Sequence, residues 1–273
     1  MPGGGGSEVG VHSAPACGFR QGVGGRPNDV LGVLITKGSF SLYSFLSGDP
    51  EMGTVIKRPV NQTACMQHLQ RLVSSGHYFW CADVIPEARL ASFVDKWSVF
   101  ALTADIPARA YRKKCGKASV HLCLEPMTEE GAPIRWWMLS TAGKFGLSTH
   151  GAVPGMVRDC RLEEGRLTFG HYELVRQPKL AGAEQGAPTT WTWRLSQQRY
   201  KEWEALLVER IKARDLDGLA KAERCLCTMP MFSGVREQVK RLFAERNKLA
   251  GKFKLQLPQT PDLPVMRMVK LWE

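Results

Sequence analysis

No run of eighteen or more apolar residues occurs in the chain, so no transmembrane helix is expected. Residues 1–29 lack the apolar core of a secretory signal. Their glycine content makes ordering costly in backbone entropy, which predicts a disordered tail over 1–29. The phosphate-binding loop G-x-x-x-x-G-K-[ST] is absent, as is G-x-G-x-x-G between a strand and a helix. "QGVGGRP" (21–27) has glycines but no strand before it or helix after it on which a phosphate could sit. These absences speak against a nucleoside triphosphatase or a dinucleotide enzyme. G-x-S-x-G, the turn that presents a hydrolase serine, is missing too. Internal repeats and heptad arrays are likewise lacking.

Acidic residues are in short supply. Asp and Glu number 26 against 37 Lys and Arg, giving a net charge of +11. That imbalance favours anionic partners such as nucleic acid, an acidic protein or a membrane surface. The eight cysteines are scattered rather than paired at set spacings, which predicts reduced thiols of a cytoplasmic protein. Cys115, His121, Cys123 and Cys160 match no standard zinc spacing, and Cys225-x-Cys227 has no second pair, so no metal and no cofactor are expected.

What remains is an ordinary globular composition, 44% hydrophobic and 23% charged over 273 residues. Short strands are expected at 30–36, 39–46 and within 53–59, with a turn at Lys37-Gly38. Helices are expected at 61–76 and 86–97. Residues 119–126 alternate as a strand, 134–140 is a second strand candidate, 189–196 is the clearest strand with Trp191 and Trp193 on one face, and Glu164-Gly165 reads as a hairpin tip within 158–177. From Ser196 onward the apolar period becomes helical, with Ser196, Asp215 and Ser233 as N-caps. The prediction is an α+β fold, a mostly antiparallel mixed sheet with a helical C-terminal third. Its expected parts are the tail (1–29), an α+β domain (30–196), a helical region packing on it (197–253) and an extended tail (254–273).

The most distinctive cationic stretch is "YRKKCGKASVHL" (111–122). Arg109, Arg112, Lys113, Lys114 and Lys117 are expected on a loop leading into a strand, positioned to touch phosphates. Lys240 and Arg241 cannot share the helix face of Leu242 and Phe243, so they are exposed candidates for the same work; Arg236, Arg246 and Lys248 extend that second basic surface. Trp136, Trp137, Trp191 and Trp193 are core residues by their alternation, although exposed aromatics of this type could stack bases. An exposed aromatic patch including Trp136 or Trp203 would instead suit a protein partner.

Two chemical readings compete. His77 and Cys81 are close enough in sequence to form a nucleophile–base pair, if geometry allows. A metal-dependent nuclease or nicking enzyme would need His121 to converge with at least two of Glu125, Asp159, Glu163 and His171. The two-histidine strand of rolling-circle initiators is broken here, because Cys123 stands two residues after His121.

The blocks "SGHYFW" (75–80), "YRKKCGKASVHL" (111–122), "RWWMLST" (135–141), "HYELVRQ" (171–177) and "TTWTWRLS" (189–196) together resemble accessory proteins of broad-host-range conjugative plasmids and integrative elements, some of fertility-inhibition type. The resemblance runs from about His68 to Phe253. It implies a bacterial, cytoplasmic, non-enzymatic protein that modulates conjugative transfer by binding nucleic acid or a coupling protein of the transfer machinery. It carries over no catalytic residue, and no membrane insertion or small-molecule substrate is expected.

Overall fold

The computed structural model describes residues 31–36, 39–44, 55–127, 129, 131–178 and 188–272. The expected N-terminal tail, the turn at 37–38 and most of the glycine-rich loop before residue 189 lie outside these residues. The fold is α+β, and every paired strand is antiparallel.

Strands β1 (Leu31–Thr36), β2 (Ser39–Ser44) and β3 (Val55–Lys57) form one sheet. The chain then enters α1 (Gln62–Ser74), whose N-cap Asn61 accepts the Ala64 N–H at 2.9 Å. After β4 (Phe79–Ile85) come a 3₁₀ turn, α2 (Leu90–Lys96), a second 3₁₀ turn and α3 (Ile106–Lys114). β5 (Val120–Leu124), β6 (Ile134–Ser140) and β7 (Arg158–Asp159) complete a four-stranded sheet in the order β5-β6-β4-β7. β8 (Thr168–Phe169), β9 (Tyr172–Pro178) and β10 (Thr189–Leu195) form a third sheet, and α4 (Gln197–Lys212), α5 (Leu216–Cys227) and α6 (Ser233–Lys252) follow.

The period-two alternation of β6 explains the layering. Trp137 and Leu139 enter a core shared with α1, β9, β10 and the three C-terminal helices. Ile134, Trp136 and Met138 face the opposite side, against Leu90, Val94, Trp97, Phe100 and Leu147. The sheet is therefore covered on both faces, which is why its strands read as nearly continuous apolar runs.

Several expectations are corrected. Residues 109–114 are the second half of α3, not a loop: Asp105 caps the helix by accepting the Ala108 N–H at 2.8 Å, and Pro107 sits in its first turn. Glu164-Gly165 is not a hairpin tip, because β7 pairs with β4 while β8 pairs with β9. The tight turn falls at Gly170-His171 instead. Ser233 is the first residue of α6 rather than its cap. The hydroxyl of Thr192 on β10 caps that end, accepting the Gly234 N–H at 3.1 Å.

Gly234 is where α6 comes closest to β10. A Cβ there would lie 2.6 Å from the Trp193 carbonyl oxygen. Gly234→Ala is therefore expected to lower stability by about 2 kcal/mol despite the better helix propensity of alanine. Urea denaturation checks this, and a more stable variant would show that the approach is relaxed.

Residues 254–272 carry no regular secondary structure and run back over the fold. Gln67, buried on α1, donates to the Arg267 carbonyl at 2.8 Å and accepts the Val269 N–H at 3.0 Å. The Trp272 ring meets His68 edge-on at 5.0 Å. Among the described residues no helix is long and apolar enough to cross a membrane.

Candidate nucleic-acid interface

α3 has an unusual make-up for a packed helix: none of its residues is buried. One of its side chains ties it to the rest of the fold by hydrogen bonds. Arg109 turns toward β5 and donates from Nε to the Ala104 carbonyl (2.7 Å), from Nη1 to the Val120 carbonyl (3.1 Å) and from Nη2 to the Leu102 carbonyl (3.1 Å). Nη1 also donates to His121 Nδ1 at 2.7 Å. Arg109 is thus a structural staple and not an outward anion contact. Burial lowers its pKa from the usual guanidinium value.

Three imidazoles lie around this guanidinium. His77 meets His121 edge-on at 4.8 Å. His77 donates from Nδ1 to the Leu72 carbonyl at 3.0 Å, and its buried Nε2 has no partner among the described residues. Burial first, then the charge of Arg109, push the His121 pKa down to about 3. Burial first, then Arg71, push His68 down to about 4. His77 is also lowered, by burial, with further contributions from Arg109 and Lys113. These histidines are neutral at physiological pH, so they add no charge to the cationic surface around them.

That surface is built by the segment after α3. Gly116 N–H donates to the Lys113 carbonyl and Lys117 N–H to the Arg112 carbonyl, both at 3.0 Å, closing the helix end. Residue 117 then bridges to residue 144: Lys144 N–H donates to Gly116 O (3.0 Å) and Ala118 N–H to Lys144 O (2.8 Å). Lys113, Lys114, Lys117 and Lys144 are all exposed, and none is in an ion pair with a described carboxylate. Phe145 follows Lys144, with the Lys117 Nζ 5.7 Å from its ring centre. The sequence alone did not bring Lys144 and Phe145 to this site, because only the tertiary bridge to residue 117 does so.

The remaining candidates divide. Arg112 is half-buried, and its Nε and Nη2 are buried without hydrogen-bond partners among the described groups. Lys240 and Arg241 are exposed on α6 as expected, but Lys240 pairs with Glu237 at 3.0 Å. Lys248 lies 3.8 Å from Glu245. Arg246 does not belong to that basic surface. It is 3% exposed and bonds to Glu223 at 2.6 Å and to the Pro258 carbonyl at 3.1 Å. Its position four residues after Leu242 places it on the buried stripe.

The rival arrangements do not assemble. Trp136, Trp137, Trp191, Trp193 and Trp203 are all buried, so they offer no exposed aromatic patch. Cys81 is wholly buried in the core on the α2 side, its thiol pushed up to about 12 by burial, and His77 is engaged elsewhere. His121 meets Arg109 and His77 rather than carboxylates. Asp159 is held by Arg161 at 2.6 Å. Among the described residues no three His, Cys, Asp or Glu side chains come together as metal ligands could. Comparison with family models, curated proteins and solved structures gives no match for this chain.

Proposed function

We propose that the protein binds nucleic acid through the phosphate backbone, as a non-enzymatic accessory factor that modulates conjugative transfer in the bacterial cytoplasm. The observation that carries this reading is the gathering of Lys113, Lys114, Lys117 and Lys144 on one surface without carboxylate partners. Cations in the last turn of a helix complement its dipole, at about 0.3–1 kcal/mol each, and that alone would account for Lys113 and Lys114. It does not account for Lys117 and Lys144. A backbone bridge brings these two exposed like charges together, and an anion between them would relieve their repulsion. The link to conjugation rests on the sequence resemblance, and the phosphate contact rests on the lysines.

The test is a titration of labelled DNA and RNA across a range of salt, with and without magnesium. The Lys113→Glu/Lys114→Glu variant should bind more weakly, and its slope of log K against log salt should be shallower by about 2. Superimposable isotherms for variant and parent would sink the phosphate reading, and cleavage in magnesium would replace it with a nicking activity. For the cellular role, the parent chain expressed in donor cells should lower plasmid transfer, and the doubly reversed variant should not.

A further inference from the structure

We infer that the lysine surface takes single-stranded nucleic acid, with Phe145 as the platform on which one unpaired base stacks. This inference rests on the phosphate-contact reading and adds the class of nucleic acid to it.

The argument begins with the backbone. Four non-glycine residues have positive φ among those described: Ala101, Phe145, Arg214 and Lys254. Ala101 follows a 3₁₀ turn, Arg214 follows the end of α4 and Lys254 follows the end of α6. Helix ends commonly stop in that conformation. Phe145, at φ 57°, sits in a loop with no helix to end. A left-handed conformation brings the Cβ of a bulky residue against the following carbonyl and is unfavourable. Such strain persists where the surroundings impose it and clusters at functional sites.

The surroundings do impose it. Gly143, at φ 139°, lies so close to Ala118 that a Cβ would come within 2.8 Å of the Ala118 nitrogen. At Gly146 a Cβ would come within 2.7 Å of the Ala118 Cβ. Lys144 is bound on both sides to 116–118, and Thr149 Oγ1 donates to the Gly143 carbonyl at 2.8 Å. Leu147 is buried, and its N–H donates to Ser140 Oγ at 3.1 Å. A loop fastened at 143, 144, 146 and 147 holds the residue between them outward.

The ring so presented is 46% exposed, although a turn of this kind would be served as well by asparagine. Burial therefore does not explain the aromatic. Its neighbours do: Lys117 sits over the ring, Lys144 precedes it, and Lys113 and Lys114 lie across the Gly116 turn. A fixed aromatic face among unpaired lysines is the combination that binds single strands. The lysines follow the backbone, and the ring takes a base by stacking, whatever the base. In a duplex the bases are already stacked on one another, and the ring gains nothing.

The experiment uses the full chain, a fluorescein-labelled oligothymidylate of about 20 nucleotides and a duplex of about the same length. Fluorescence anisotropy is read across salt for the parent, Phe145→Asn and Phe145→Trp. Asparagine suits the left-handed backbone, so the fold is kept, as an unchanged melting temperature will show. Phe145→Asn should weaken oligothymidylate binding about tenfold, with the salt slope and duplex affinity unchanged, and Phe145→Trp should restore it. Unchanged oligothymidylate affinity in Phe145→Asn, or an equal loss on single strand and duplex, overturns the stacking inference and leaves the lysine contact standing. Absence of salt-dependent binding by the parent protein overturns both.

Discussion

Replacing Arg109 with methionine is expected to lower the free energy of unfolding by about 3–5 kcal/mol. Methionine keeps much of the aliphatic stem but none of the donors. The carbonyls of Leu102, Ala104 and Val120 and the Nδ1 of His121 then lose their partner together. An acceptor left unpaired in a buried place costs about 1–3 kcal/mol, and partial exposure of this site keeps the sum below four full penalties. α3 has no buried residue, so the helix should detach first. Arg109→Lys should recover less than half of the loss, because a single ammonium cannot spread over four acceptors as a planar fork does. Urea denaturation midpoints measure both variants. A midpoint for Arg109→Met close to that of the parent would show that the guanidinium is free for an external anion after all.

Acid should destabilise the fold well above the range where carboxylates protonate. The folded pKa values of His121 (about 3) and His68 (about 4) lie below the ordinary histidine value of 6.5. Between those limits the unfolded chain binds more protons than the folded one, so stability falls as the pH falls from 6.5 toward 4. Near pH 5 each histidine contributes a loss of about 2 kcal/mol, together about 4 kcal/mol. His77, also lowered by burial, adds to the same trend. The measurement is a series of urea midpoints from pH 7 to pH 5, with His121→Gln and His68→Gln each expected to flatten the profile. A midpoint that does not move over this range in the parent would mean that water reaches the imidazoles and protonates them freely.

Much of the fold can be read directly from residue patterns. Alternation marks β10 and an apolar run marks β6, each to within a residue, and Ser196 and Asp215 cap the helices they precede. α3 is hidden because helical periodicity reads an apolar stripe, and this helix has none. Its one signal is Asp105 followed by Pro107, a cap and a first-turn proline. The candidate site is half legible for a related reason. Lys113, Lys114 and Lys117 stand out as a run of charge. Whether Arg109 joins them depends on which side of a helix it occupies, and the turn of α3 sends it inward. Lys144 and Phe145 belong to the site only through the bridge between residues 117 and 144, a pairing that no local pattern announces. Arg246 was legible in principle, since Val239, Leu242, Phe243, Arg246 and Ala250 form one continuous stripe.

The placement of the indoles gives the molecule its own optical reporters. Trp97 and Trp136 sit in the core on the α2 side, while Trp80, Trp137, Trp191, Trp193 and Trp203 sit in the core shared with the C-terminal helices. Intrinsic emission therefore distinguishes loss of one layer from loss of the other, once one set is replaced by phenylalanine. Trp272 belongs to neither set and stands edge-on to His68. A chain retaining Trp272 alone would report, through the shift of its emission on exposure to water, whether the C-terminal segment is seated on α1 or lifted away.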